Sequence, residues 1–462
     1  MIKLLIIKIL TIIVIFVLST YLFYKAAGTL AINKLNLISC TYYIFILQTF
    51  IGISLVYLGF SEHYLVQKVI KIHNWDKTFF LVACTAVLLP LSMNLITFFL
   101  KKDVKYGYDT YLNSDICLKG DTNIIFFCAL ILTIIFLAFT IQMFTLIGHV
   151  PLLDMIFQRN VDLFATRRIQ ISRHYLGNIY IRNIVVLALT PAISYLAFTY
   201  AKVTKEWKWR ILFLILFIAS IFIKTYDYSK APVVFYLFPL VLITIVINKG
   251  IKKRTIMMLG GAAVLLIVLM YVVTGGGLNS GFDIYNGPIG RTIFSPVGAL
   301  ILHVDLFPDY VPYLKGRSFA PTILKFLPGD LNHMRSARAV MKFYNPEGVY
   351  HGEAGVMNTF FTGEAYANFG VLGVVLSTIY IGVLLQIIYV IFLKIEKNPI
   401  YITAYATITS TLVLTLHGGF VDYIYNVQLF VIIFLFLALN FMNNKLSNLY
   451  KLNSKTNKNG DN

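Results

Sequence analysis

The chain has 462 residues, 58% of them hydrophobic and 13% charged, with a formal net charge of +19. Ordinary soluble domains run nearer about 45–50% and 25%, so this composition excludes a water-soluble globular protein. No basic, aromatic-interleaved soluble segment carries the charge, which excludes a nucleic-acid-binding module.

Apolar runs of roughly twenty residues recur along the chain, each able to cross about 30 Å of hydrocarbon. They predict an all-α polytopic membrane protein, since a β-barrel would show ten-residue alternating segments. In chain order the predicted spans are 4–24, 38–60, 79–100, 123–147, 183–202, 210–225, 231–248, 255–273, 366–393, 400–416 and 425–442. That makes about eleven transmembrane helices, in a range of about 10–12. The first apolar run is too long for a signal peptide and no small-x-small site follows, so it reads as an uncleaved span. Cys40, Cys84, Cys117 and Cys128 form no CxxC pair and suggest neither a disulfide framework nor a metal site.

The spans divide the chain into an N-terminal membrane bundle, 1–273, and a large external loop or lid, 274–365. C-terminal membrane helices, 366–442, and a basic cytoplasmic tail, 443–462, follow. Orientation follows the basic loops. Lys252, Lys253 and Arg254, the segment Lys202 to Arg210, and the tail lysines all fit the cytoplasm. Helix parity then puts 148–182, 274–365 and 417–424 outside; the same parity would put the N-terminus outside, but Lys3 and Lys8 oppose it and leave that end open. Seven prolines from Pro288 to Pro346 cut the 274–365 segment into short pieces. Loops of that length without structure of their own are uncommon, so it reads as a small helical subdomain with a function.

Nine of the eleven arginines lie in the two longer external loops. Arg159, Arg167, Arg168, Arg173 and Arg182 occupy 148–182, which has no lysine; Arg291, Arg317, Arg335 and Arg338 occupy 274–365. Elsewhere the chain uses lysine for bulk positive charge. Arginine offers a planar, permanently charged fork that matches phosphate bidentately. Arg167, Arg168, Arg173, Arg291 and Arg317 are therefore candidate phosphate ligands; the alternative is pairing with loop acids or snorkelling to headgroups. Arg335 and Arg338, three residues apart, either share a helix face or join a surface network with Asp330 and Glu347.

The stretch His351 to Gly373 holds two Gly-Glu pairs and runs into a hydrophobic helix. A carboxylate in the first turn of a membrane helix stands near the positive end of its dipole. Glu353, Glu364 and His351 are candidates to take the proton of an attacking hydroxyl. Asn358 and Asn368 are supporting polar candidates of the same stretch, although Asn368 with Gly370 and Gly373 also suits close helix contact. His417 and Asp422 either complete the site from the other side or make a polar turn. Lys230 meets lipid phosphate or snorkels. The sequence has no DxD and no HExxH, so a reaction without metal or other cofactor is expected.

Several stretches carry a resemblance. They are Gly290-Arg291-Thr292, Gly316-Arg317-Ser318, Asn-Pro-Glu-Gly at 345–348 and Gly-Glu-Ala-Tyr-Ala-Asn-Phe-Gly at 363–370, with weaker matches at 36–39 and 229–232. Together they resemble the bacterial oligosaccharide repeat-unit polymerases, the Wzy-type O-antigen and capsular polysaccharide polymerases. The family usually has Ser-Pro after the first span, where this chain has Ser39-Cys40.

The resemblance implies a GT-C-like helical fold in the cytoplasmic (inner) membrane. It implies a glycosyltransferase that joins oligosaccharide repeat units carried on undecaprenyl pyrophosphate at the outer face of that membrane. Donor and acceptor are both lipid-linked oligosaccharides, and the implied pathway partners are a chain-length regulator and a flippase. Two other readings are an O-antigen-ligase-like transferase and a flippase or secondary transporter, which would show internal repeats and ionisable groups near the midplane.

Overall fold

The structure, a computed structural model, describes residues 2–157, 164, 167, 168, 170, 171, 174–229, 231–258, 260, 261, 265, 283–326 and 332–459. Among the described residues every regular element is a helix. The long or central ones are α1 (Ile2–Ala27), α2 (Leu37–Tyr57), α3 (His73–Phe99), α4 (Thr122–Ile147), α5 (Ile181–Thr204) and α6 (Trp207–Lys224). They continue with α7 (Ala231–Ile247), α8 (Ser295–Leu306), α9 (Ser336–Tyr344), α10 (Phe361–Lys394), α11 (Pro399–Thr415) and α12 (Val427–Asn459). Seven helical segments are long and apolar enough to cross a membrane: those beginning at Ile2, Leu37, His73, Thr122, Ile181, Phe361 and Phe420. α7, α8 and α11 are shorter apolar helices. The protein is thus an all-α, multi-pass membrane protein. The predicted span 255–273 falls largely outside the described residues.

The chain forms two compact units, Met1–Tyr108 with Gly276–Leu393 and Leu412–Asn426, and Asp109–Gly275 with Lys394–Thr411 and Val427–Asn462. In the first, local chemistry sets the helix ends. The Asn36 side chain accepts from Ser39 N at 2.9 Å, and Asn36 N donates to Ser39 Oγ at 2.8 Å. This reciprocal cap explains Asn-Leu-Ile-Ser at 36–39. Asn36 Nδ2 also donates to Ala27 O at 3.0 Å, tying the end of α1 to the start of α2. At the other end of these helices Lys8 Nζ reaches Tyr57 O at 2.8 Å and Asp76 Oδ1 at 3.2 Å. The start of α1, the end of α2 and the start of α3 therefore share one face.

The described part of 274–365 belongs to this first unit. α8 is buried from Val297 through Leu306. A Cβ on Gly52 of α2 would lie 2.2 Å from Ile293 O, and one on Gly298 would lie 2.7 Å from Leu65 Cβ, so both glycines permit close approach. The apolar run of α8 is too short to be read from sequence as a span, yet it packs as core. It is anchored by Asp305, which is fully buried. Its carboxylate accepts from Ile70 N (2.9 Å), Lys71 N (3.0 Å), Asn74 Nδ2 (2.7 Å) and Tyr344 Oη (2.6 Å).

α10 is two helices joined at a break. Phe369 (φ −137°) and Gly370 (φ 61°, ψ −147°) leave helical geometry. The carbonyls freed at the break are used: Leu314 N donates to Ala367 O at 2.9 Å and Lys315 N to Asn368 O at 3.1 Å. Backbone that breaks inside a membrane protein must be satisfied by protein in this way.

In the second unit, Ser194 Oγ meets Tyr236 Oη at 2.6 Å and Tyr200 stacks on Trp209 at 4.4 Å between ring centres. The Lys397 side chain, nearly fully buried, donates to Leu112 O and Ser114 O, carbonyls at the end of the helix Val104–Asn113. A cation at a helix C-terminus is favoured by the dipole.

Candidate functional site

The polar centre of the first unit gathers around the first turn of α10. Phe361 N donates to Leu416 O at 2.8 Å, which fixes the helix start against the turn that follows α11. Glu364, one turn in, is 2% exposed. Its Oε1 lies 3.4 Å from Arg335 Nε, and its Oε2 accepts from Val421 N at 3.4 Å. The fork of Arg335 points away from Glu364: Nη1 donates to Asp422 Oδ1 at 3.0 Å and Nη2 to Asp422 Oδ2 at 2.9 Å. One guanidinium thus bridges two carboxylates. The inner one is enclosed, whereas the Asp422 side chain is 30% exposed and that of Arg335 37%.

Neighbouring residues make this geometry possible. A Cβ on Gly419 would fall 1.7 Å from Glu364 Oε2, and one on Gly418 would fall 2.6 Å from Asp422 Oδ2. Gly419→Ala is therefore expected to destabilise the protein by about 1–3 kcal/mol through overpacking, and more than Gly418→Ala does. Thermal unfolding of the two purified variants checks the ranking.

Asn368 binds the loop that lies over the break: its Nδ2 donates to Ser318 Oγ (2.6 Å) and Glu364 O (2.8 Å), and its Oδ1 accepts from Gly316 N (3.0 Å). Ser318 also hydrogen-bonds the Glu364 carboxylate. Arg317 Nε donates to Asn332 O at 3.0 Å and Met334 N to Arg317 O at 2.9 Å, which sets the chain leading into Arg335. From below, the buried His303 of α8 donates through Nδ1 to Ala299 O (2.7 Å) and accepts at Nε2 from Ser336 Oγ (3.2 Å). Gly363 leaves room for Thr359, whose Cγ2 would stand 2.4 Å from a Cβ placed there.

Glu364, Arg335, Asn368 and Asp422 are therefore brought together, whereas the Arg317 side chain turns to Asn332 O and is tied to them only through its neighbours Gly316 and Ser318. Arg335 pairs with Asp422 and Glu364, not with Glu347, and Asp330 lies outside the described residues. Arg338 is half-buried one turn further along α9. His351, Glu353 and Asn358 are exposed, and among the described residues no hydrogen bond or ion pair joins their side chains to Glu364. Arg291 is exposed on the helix Pro288–Ile293, close enough to His63 to act on it electrostatically.

Arg167 and Arg168 belong to the second unit. Arg167 Nη1 pairs with Asp154 Oδ2 at 2.8 Å, and Tyr228 Oη donates to the same oxygen at 2.7 Å. Arg168 is exposed. Arg173 and Lys230 lie outside the described residues. Sequence reasoning passed over His303, Ser336 and Asp305. The available signal was His-Val-Asp at 303–305 inside an apolar run, since ionisable groups in such runs are rarely idle.

His417 packs edge-on against Phe360 at 5.6 Å, and its shielded Nε2 has no partner among the described residues. Burial pushes it down to about 4. Burial, followed by the charge of Arg291, does the same to His63, which accepts from Leu65 N and lies 3.1 Å from Ser295 Oγ. Both histidines are lowered from 6.5, so the unfolded chain binds more protons as pH falls. Their contribution to stability is full above pH 6.5 and is lost as pH falls through 4. His417→Leu should flatten the fall in unfolding midpoint between pH 7 and 4; a variant curve parallel to the parent's would refute this.

Beside the break in α10 runs an apolar groove of about 330 Å³, lined by Phe369, Leu372, Leu376, Tyr380, Phe420 and Ile424 among others. Among the described residues no three His, Cys, Asp or Glu side chains come together as metal ligands would. No protein family, no curated protein and no solved structure matches the chain.

Proposed function

We propose that this protein polymerises oligosaccharide repeat units carried on a lipid pyrophosphate, as a metal-independent glycosyltransferase of the cytoplasmic membrane. The observation that carries the reading is the joining of 316–318 to 363–370. These stretches, far apart in sequence and both part of the resemblance, are hydrogen-bonded through Asn368 around the Arg335 bridge. Seven membrane-crossing segments, with α6, α7, α11 and the 255–273 run, would make about eleven spans. A GT-C-like arrangement and an external position for the face carrying Asp305, Arg335 and Asp422 belong to the same proposal.

In this reading a hydroxyl of the acceptor unit attacks the anomeric carbon of the donor chain. The carbon–oxygen bond to pyrophosphate breaks, and the lipid pyrophosphate leaves with the electron pair. Fixed arginines, Arg317 and Arg335 foremost, stabilise that developing charge. Arg167, Arg168, Arg173 and Arg291 are assigned to the lipid pyrophosphates more widely, and an accessible carboxylate or imidazole takes the hydroxyl proton. Glu353 and His351 are exposed enough for that role. Glu364 instead positions Arg335. The apolar groove beside Phe369 suits a lipid chain.

The test is deletion of the gene, followed by sizing of lipid-linked saccharides and surface polymer. Lipid-linked single units without long polymer are expected. Long polymer retained on its lipid would favour a ligase, and single units trapped on the cytoplasmic side would favour a flippase.

A further inference from the structure

The two carboxylates on Arg335 are not equivalent. Glu364 is closed in by Gly419, Val421 and Ser318 and has nowhere to go. It holds the guanidinium by Nε, the edge opposite the fork. Asp422 takes both nitrogens of the fork, and it sits on a short turn, Phe420–Tyr423, with its side chain 30% exposed. A bidentate fork is the preferred seat for a phosphate oxyanion. Here a carboxylate of the protein itself occupies that seat.

We propose that the Asp422 side chain is a displaceable latch on a fixed turn, and that a pyrophosphate oxyanion takes its place on the fork of Arg335. The inference rests on the polymerase reading for the source of that pyrophosphate, a lipid carrier. The Asp422 carboxylate is part-exposed and brings a single negative charge to the fork, so solvent and salt screen its hold. Pyrophosphate brings more than one negative charge to the same two N–H donors, so it wins the exchange. Glu364 stays behind, keeps the guanidinium aimed, and prevents it from following its ligand. Release of Asp422 also frees Gly419 N, which donates to Asp422 Oδ2 at 2.9 Å in the latched form. The site is thus closed by its own carboxylate until a phosphate-bearing substrate arrives, which keeps monovalent anions off the arginine.

The experiment uses the full chain in lipid nanodiscs, with inorganic pyrophosphate titrated calorimetrically at fixed ionic strength. Removing the competitor in Asp422→Asn should tighten binding about fivefold, the equivalent of about 1 kcal/mol. Arg335→Gln should abolish binding. Lys342→Gln, which removes one exposed charge from the same helix, should bind as the parent does. In the unaltered chain, amide exchange across 417–426 should speed up when pyrophosphate is added, because Gly419 loses its internal acceptor.

Equal or weaker binding by Asp422→Asn, parental binding by Arg335→Gln, or unchanged or slowed exchange at 417–426 would overturn the latch. If Asp422→Asn does not fold, exchange in the unaltered chain decides alone. The two proposals fail separately. Single lipid-linked units in the deletion strain with no pyrophosphate effect would remove the latch and leave the polymerase. A pyrophosphate-driven release with normal polymer in the deletion strain would do the reverse.

Discussion

If the protein is the proposed polymerase, Arg335→Met is expected to abolish surface polymer and to destabilise the protein, and the two losses should separate on a second substitution. The Glu364 side chain is 3% exposed and relies on Arg335 for its counter-charge. Removing one member of such a pair strands the other, at about 3–5 kcal/mol. The partial exposure of Arg335 places this case at the lower end of that range. Adding Glu364→Gln removes the stranded charge. The double variant should recover most of the unfolding midpoint and none of the polymer. Recovery of both would mean the bridge is only structural. Recovery of neither would mean that Glu364 is held chiefly by Ser318 and Val421, and that Arg335 answers to Asp422 alone.

The second large effect is expected at Asp305. Four donors converge on its buried carboxylate, from the segment 70–74 and from the end of α9. Asp305→Ala orphans the buried Asn74 amide at about 1–3 kcal/mol and the part-buried Ile70, Lys71 and Tyr344 donors at less each, a total of about 4 kcal/mol. Whole domains are stable by only about 5–15 kcal/mol, so the variant should fail to accumulate in membranes. Tyr344→Phe removes one donor and leaves the acceptor satisfied, so it should lose only about 1 kcal/mol. Parental levels of Asp305→Ala would show that water reaches these groups and that α8 is not anchored here.

The membrane helices were legible because an apolar run of twenty residues has few other uses, and the described starts at Leu37, His73 and Thr122 follow such runs. α8 was not legible as core. Its twelve residues are apolar but short, and only the tertiary fit against Gly52 and the segment around Leu65 shows where they go. At the site, the Gly-Glu and Gly-Arg-Ser stretches stood out by composition. Their joining through Asn368 did not, because a hydrogen bond across 50 residues leaves no local period. Exposure was equally hidden. Glu353 and Glu364 look alike in sequence, each after a glycine, yet one is exposed and the other enclosed. The difference lies in a turn some sixty residues downstream, where Gly419 gives up its side chain to Glu364.

The break in α10 bears on how the protein is made. Its first half, from Phe361 to Asn368, is short and carries Glu364 and Asn368, so it has no stable place in lipid by itself. Its supports come from both directions: Leu314 to Ser318 and Arg335 precede it in synthesis, whereas Val421 lies 57 residues later. The segment therefore matures only after the chain has been translated past Asp422. Until then it presents an unclosed polar helix end to the membrane's quality-control proteases. Truncations between Asn368 and Asp422 should consequently behave as protein-level nulls, cleared before they can compete with the full-length product.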